Sequence, residues 1–195
     1  MQQFISAIDA SFTCLSSSQI LIMRNEFKWG FFAGIASVLW LFFMNMNRLS
    51  LNDDVWYLEF VTTIFLAIGI YMAILKKRDE LGGAISFKQA MQAGLIATFV
   101  VALLSGIFSF LYFKYSDPDY TAKLAQHFVD AYKARLGRGL TPEEEKNLLS
   151  NATAEYSAAG KMMSEVGTDM FEGLFITLVV AGLLNRKREN IQRND

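Results

Sequence analysis

Three carboxylates fall within or beside long apolar stretches of this sequence, where an ionisable group could serve chemistry. They are Glu59, Asp169 and Glu172. Carboxylates inside a membrane often mark ion or proton paths, because a charge in hydrocarbon is costly. All three lie near one end of their stretches, so we expect Glu59 and Glu172 to turn outward to water or lipid headgroups. Glu59 and Glu172 are therefore predicted to lie at the membrane interface, and they are kept only as weak candidates for an ion path.

Other catalytic or ligand-binding chemistry has few residues to rest on. The 195-residue chain contains one Cys, Cys14, and one His, His127. This composition excludes an intrachain disulfide, a multi-His metal site and a Cys/His cluster. A nucleophile elbow, a phosphate loop or a His-centred triad cannot be assembled either. We therefore predict no enzyme activity, no cofactor and no metal, and we expect His127 on the face of a helix.

The elements that must position these residues are apolar and long. The chain is 53% hydrophobic and 19% charged, whereas soluble proteins average about 25% charged residues. The deficit is concentrated in four segments, which are 29–46, 55–75, 93–113 and 168–185. A hydrocarbon core of about 30 Å needs about 20 helical residues, so the first three segments are long enough to span a membrane. The fourth is weaker, and we count it as a span because Arg186, Lys187 and Arg188 follow it directly.

Basic residues cluster beside the same ends of these segments. The clusters are Arg24 with Lys28, 76–78 with Lys88, and 186–188 with Arg193. The positive-inside rule then puts both termini in the cytoplasm and segment 114–167 outside. The sequence predicts an all-α integral membrane four-helix bundle, with a long helical extracytoplasmic insert, 114–167, between spans three and four.

Residues 1–22 form an N-terminal extension to the membrane domain, which we assign to 23–195. The extension has no Lys or Arg and therefore lacks the positive region of a secretory signal. One interpretation is a short amphipathic surface helix. The other is that translation starts at Met23, which we favour because the orientation needs nothing upstream of it.

Local signals predict where the third span begins. Gly82 and Gly83 break the preceding helix, and Ser86 with Gln89 matches a capping box. The helix should therefore start near Phe87. Its first turn would lie in the cytoplasmic interface, where Phe87 and Lys88 act as anchors to acyl chains and phosphates.

The insert 114–167 reads as two helices. Pro118 and Asp119 open the first, glycines at 137 and 139 close it, and Thr141-Pro142-Glu143-Glu144 opens the second. We expect that second helix to continue without a break into span four, as far as Leu184.

Small residues recur in the spans at four-residue spacing, which lets helix backbones approach closely. The predicted packing positions are Gly30 and Gly34, Gly69 and Ala73, Ala102 and Gly106, and Gly173 and Thr177. The spacing leaves open whether these faces meet within one chain or between chains, including dimerisation through Gly30 and Gly34.

Three features together resemble a known family. They are Lys28-Trp29-Gly30-Phe31 at the start of span one, Ile85-Ser86-Phe87-Lys88-Gln89-Ala90 before span three with Gly94 inside it, and a charged insert before a terminal span with a basic tail. Over roughly residues 24–188 the chain resembles the bacterial membrane proteins called domain of unknown function 4199. The resemblance implies a four-span inner-membrane protein of Gram-negative bacteria with a periplasmic helical insert, and it implies no activity.

Two classes of function follow. The first is a structural or accessory membrane protein whose periplasmic helices bind a protein partner; the alternative is a small oligomeric transporter or channel subunit. A conduit needs polar groups that face one another at mid-span, and here these are limited to residues such as Thr62, Thr63, Thr98 and Ser105. Membrane lipid is an expected partner, a homo-oligomer stays open, and a net charge of −1 argues against nucleic acid.

Overall fold

Six α-helices follow one another in the computed structural model, which describes residues 25–51, 57–116, 118–137 and 139–192. They are α1 (Asn25–Met46), α2 (Phe60–Glu80), α3 (Phe87–Tyr115), α4 (Pro118–Leu136), α5 (Pro142–Glu155) and α6 (Ala158–Gln192). A turn of 3-10 helix, Leu49–Leu51, follows α1. The predicted all-α class is confirmed for the described part of the chain. The N-terminal extension 1–22 lies outside it.

Four of these helices are long and apolar enough to cross a membrane, as predicted. They are α1 (Asn25–Met46), α2 with the turn before it (Tyr57–Glu80), α3 (Phe87–Tyr115) and the apolar part of α6 (Ala158–Asn185). Large apolar side chains on their outer faces are exposed, among them Phe32, Leu39, Phe99 and Val179. An exposed apolar surface of this kind suits contact with lipid chains and would be unfavourable in water.

The central helix of the bundle is α3. Half of its most apolar stretch is buried, against 28%, 28% and 22% for α1, α2 and α6. It presents small residues such as Ala93 and Ala97 to a core that α2 fills with Leu66 and Ile70 and α6 closes with Ala181. Small side chains on α3 let the neighbouring backbones come close, which is how helices associate in lipid.

Helices α3 and α6 contact each other through two reciprocal glycine–threonine pairs. A methyl group added to Gly94 would lie 2.5 Å from Cγ2 of Thr177, and one added to Gly173 would overlap the side chain of Thr98. Both threonines are fully buried. Each threonine therefore fills the space left by the glycine opposite, and the two antiparallel helices are tightly closed at this level.

The other small residues also lie at contacts within the chain. A Cβ added to Gly30 would come 2.9 Å from the backbone of Ala97, and one added to Gly34 would come 2.5 Å from Leu104 Cδ1, so both glycines face α3. The same test places Gly69 against Ala33 of α1, and Gly106 against Val166 of α6. Ala73 and Ala102 are fully buried.

The predicted helix starts match the structure at two capping boxes. Ser86 and Gln89 cap α3, and Thr141 and Glu144 cap α5, in each case with both side-chain contacts present. Helix α4 begins at Pro118 and ends before Gly137, whose φ of 62° is in the left-handed region.

The expectation of one unbroken helix from Glu143 to Leu184 is wrong. Helix α5 ends at Glu155 and α6 begins at Ala158. The Ser157 hydroxyl accepts a hydrogen bond from the Gly160 N–H and so caps the new helix. Gly160 packs directly on the backbone carbonyls of Ala154 and Glu155, an approach that a side chain would block. The break lets α5 fold away from α6 and pack against α4.

Candidate functional site

A cavity of about 350 Å³ lies where α4 and α5 meet the ends of the long helices. In the described part of the chain, five carboxylates and one ammonium group line it; they belong to Glu59, Glu155, Glu165, Asp169, Glu172 and Lys161. We call this the acidic cavity. With these side chains ionised, its lining carries an excess of negative charge.

Helix periodicity explains why α6 contributes most of this charge. Glu165, Asp169 and Glu172 are spaced by four and then three residues, which places them on one face of α6. Glu59 lies in the turn directly before α2, and Glu155 is the last residue of α5. The cavity is thus built from one helix face and the ends of two other helices.

Glu172 has a hydrogen-bond partner inside the bundle. Its side chain accepts a hydrogen bond of 2.7 Å from the Thr63 hydroxyl of α2, and the residue is half-buried. The outward orientation expected for Glu172 is therefore corrected, because a hydroxyl on α2 offers the carboxylate a partner inside. Glu59 is exposed at the edge of the same cavity.

Asp169 is the most deeply placed carboxylate of the cavity. The residue is 6% exposed, and the Ser105 hydroxyl of α3 hydrogen-bonds its carboxyl group. Its second oxygen, Oδ2, is buried and has no hydrogen-bond partner among the described residues. Buried polar atoms are nearly always paired, and leaving one unpaired costs about 1–3 kcal/mol. Among the described residues, the Asp169 carboxylate thus has one oxygen that lacks a hydrogen-bond donor.

Lys161 shows how the cavity walls hold a positive charge. Its ammonium nitrogen lies 4.0 Å from the Glu165 carboxylate, 5.8 Å from the Phe113 ring centre and 5.6 Å from the Tyr156 ring centre. These are ion-pair and cation–π distances. Burial, and after it the charges of Glu155 and Glu59, raise the pKa of the Tyr156 phenol above its usual 10.0. The phenol is therefore neutral, and its ring remains a suitable cation partner.

An aromatic stack holds α4 over the cavity. Phe113 of α3 and Tyr120 of α4 are parallel within 4°, with ring centres 5.9 Å apart. Arg48 lies in the turn after α1, and its guanidinium is 5.7 Å from the Tyr120 ring centre. Leu124 adds a buried apolar contact to the same cluster. The covering helix is thus packed to α3 and to the turn that follows α1.

The remaining predicted residues lie away from the cavity. His127 is a half-buried residue on α4 and does not line it, and Cys14 lies outside the described residues. Phe87 and Lys88 are exposed in the first turn of α3, at the other end of the bundle. In the described part of the chain, no three His, Cys, Asp or Glu side chains are grouped so that they could hold a metal ion.

Sequence reasoning missed two of the five carboxylates. Glu165 was detectable, because it lies four residues before Asp169 on the face that also carries Glu172. Glu155 gave no comparable signal, since its position depends on the helix break at residues 156–157. Lys161 was missed for the same reason.

The opposite end of the bundle carries a buried ion pair. Lys77 of α2 lies 2.7 Å from the Glu26 carboxylate of α1, with side-chain exposures of 10% and 4%. Asn25 donates a further hydrogen bond to Glu80 nearby. The start of α1 and the end of α2 are therefore fixed to each other.

Comparison with known proteins identifies the family. A family model described as "Protein of unknown function (DUF4199)" matches residues 28–186. No curated protein and no solved structure matches the chain. The matched region contains the apolar stretches of all four long helices except the first three residues of α1, and it contains the Ile85–Ala90 stretch and the acidic cavity. The chain therefore belongs to the DUF4199 family, as its resemblance to that family predicted.

Proposed function

We propose that the protein is an accessory membrane protein that binds a ligand or a partner's charged group in the acidic cavity and does not conduct solutes across the membrane. The position of its polar groups carries this proposal. Five carboxylates gather at one end of the bundle. Towards the other end of the bundle, the Gly94–Thr177 and Gly173–Thr98 contacts leave no space between α3 and α6. A binding site at one end explains both features, whereas a conduit requires facing polar groups at mid-span.

The proposed orientation has both termini in the cytoplasm and segment 114–167 in the periplasm, with the protein in the inner membrane. The Glu26–Lys77 pair joins the start of α1 to the end of α2. Ala90 and Leu184 belong to one core cluster, which places the start of α3 and the end of the apolar part of α6 on the same side of the bundle. The described basic residues Lys28, 76–78 and Lys88 thus lie towards one end of the bundle, which supports a cytoplasmic location for that end.

A small oligomeric transporter or channel subunit is the second candidate. The buried carboxylate of Asp169 favours it, since such groups often belong to ion or proton paths. A path through one chain would need α3 and α6 to separate at Gly94 and Gly173. The accessory role requires no such movement.

Lipid and a protein are the proposed partners. The exposed apolar faces of the long helices suit lipid chains, and α4 adds exposed Phe128, Tyr132 and Leu136 in the proposed periplasmic segment. A catalytic role is not proposed, because one His and one Cys supply no nucleophile–base pair with an orienting group. No cofactor is proposed either.

Ion flux separates the two candidate functions. The purified full-length protein is reconstituted into liposomes, and Na⁺, K⁺ and H⁺ fluxes are measured under imposed gradients. We expect fluxes equal to those of protein-free liposomes, because the α3–α6 contact is closed. A flux that Asp169→Asn abolishes would establish the transporter function and overturn the accessory role.

Reporter fusions test the orientation. Alkaline phosphatase and a cytoplasmic reporter are fused after Arg78, Gly139 and Arg193. Only the fusion after Gly139 should be active as a phosphatase, because basic clusters flank the other two positions. A cytoplasmic signal at Gly139 would contradict the four-span arrangement.

A further inference from the structure

We propose that the acidic cavity is a binding site for a small organic ammonium cation, held between the carboxylates of α6 and the aromatic walls of the cavity. This inference rests on the proposed function, since it names the class of ligand that the binding protein takes.

The charge of the cavity lining favours a cation. Around the cavity, five carboxylates face one ammonium group, that of Lys161. Like charges held near one another in partly buried surroundings repel more strongly than in water, and a bound cation relieves that repulsion. Glu165 is paired with Lys161, and Glu172 is hydrogen-bonded to Thr63. Lys161 thus offsets the charge of Glu165, whereas Thr63 gives Glu172 a hydrogen bond but no positive charge.

Asp169 favours a cation independently of the summed charge of the cavity. Asp169 is more than nine-tenths buried and is one of the residues that line the cavity. Its Oδ2 has no hydrogen-bond partner in the described part of the chain. An ammonium N–H would supply the missing donor and a positive charge together. A hydrogen bond between two charged groups is about twice as strong as one between neutral groups.

Aromatic side chains in the cavity walls favour an organic cation. Aromatic rings of Trp40, Phe60, Phe113 and Tyr156 line the cavity together with the carboxylates. Lys161 already uses this combination, with its ammonium group against two rings and one carboxylate. Aromatic faces attract alkylammonium groups by cation–π interaction and also cover their apolar carbons. The same walls therefore suit an organic cation better than a hydrated metal ion.

The volume of the cavity fits a small molecule. A cavity of about 350 Å³ falls at the lower end of the range of small-molecule sites, about 300–1,000 Å³. It is far larger than a single bare metal ion requires. The described residues also contain no group of three ligands arranged for a metal. Volume and ligand arrangement both favour a molecule with several carbon atoms.

The test uses the full-length protein in lipid nanodiscs and isothermal titration calorimetry. The probes are cadaverine, spermidine and tetramethylammonium, with the diol of the same length as cadaverine as the uncharged control and Mg²⁺ as the metal control. We expect at least one amine to bind, more weakly as salt rises, and the diol not to bind. If none of the three amines binds, or if Mg²⁺ binds and the amines do not displace it, the proposal is overturned.

Variants then assign binding to the cavity. Asp169→Asn and, separately, Glu172→Gln should each weaken the amine at least about tenfold, since each removes one charged partner. Glu172→Gln retains an oxygen that can accept from Thr63, so it serves as the variant least disturbing to the fold. Asp79→Asn, an exposed acid at the other end of the bundle, is the matched control and should bind like wild type. Wild-type affinity in both cavity variants would contradict the proposal.

The outcome is separable from that of the proposed function. Absence of amine binding together with absence of flux would reject the ligand class and leave the accessory role. Amine binding together with a measured flux would support the ligand class and reject the accessory role.

Discussion

Lys161 is the residue on which the electrostatics of the acidic cavity depend. Among the described residues that line the cavity, its ammonium group is the only positive charge. It contacts Glu165 and the rings of Phe113 and Tyr156, and these groups belong to α6, to α3 and to the break after α5. One side chain therefore joins three parts of the chain while offsetting part of the carboxylate charge.

Loss of that charge should weaken the fold in a salt-dependent way. Lys161→Gln removes the ion pair and both ring contacts, and we expect a loss of about 1–2 kcal/mol in the free energy of unfolding at low salt. Added salt should recover part of it, because ions screen the remaining repulsion. Thermal melts at two salt concentrations check this, with Lys123→Gln on the exposed side of α4 as control. A loss that is the same at both salt concentrations would argue against a role of charge.

At the scale of elements, the α3–α6 contact sets how the helices pack. Thr98 and Thr177 fill the spaces opposite Gly173 and Gly94, so a small residue is required at each glycine. A β-branched, fully buried threonine has little freedom to move aside. This contact also closes the bundle between the acidic cavity and the basic end.

Two glycine substitutions on α6 test the contact. Gly173→Ala should destabilise the protein by about 1–3 kcal/mol, the usual cost of overpacking. Gly182→Ala on the same helix is the control, because a methyl group there meets nothing within 4 Å; it should be neutral or slightly stabilising, since alanine is the better helix former. Unfolding in SDS measures both. Equal effects at the two positions would show that Gly173 does not pack as described.

The contact between α1 and α2 depends on the buried Glu26–Lys77 ion pair, which can be tested by substitution. Lys77→Met leaves the Glu26 carboxylate buried without its partner, which costs about 3–5 kcal/mol. The double variant Glu26→Leu with Lys77→Met should recover most of that loss, because no uncompensated charge remains. The same unfolding measurement checks it. A double variant as unstable as Lys77→Met would indicate that packing, and not charge, is lost.

At the scale of the whole molecule, the parts that were predictable from sequence are those set by local patterns. Four apolar helices follow from hydropathy and length, and the starts of α3 and α5 follow from capping boxes at Ser86 and Thr141. The inward orientation of Glu172 depends on Thr63, which is distant in sequence. Likewise, the position of Glu155 depends on a helix break at which Ser157 caps α6 and Gly160 packs on the backbone carbonyls of residues 154 and 155.

The central claim is that the acidic cavity is open to one side of the membrane and closed toward the other. Thiol labelling of single-cysteine variants, in a Cys14→Ser background, tests it most directly. Thr168 lines the cavity and is exposed, whereas Thr98 is fully buried in the α3–α6 contact. A membrane-impermeant reagent should modify Thr168→Cys from the periplasmic side only and Thr98→Cys from neither side. Modification of Thr98→Cys, or of Thr168→Cys from the cytoplasmic side, would contradict the account.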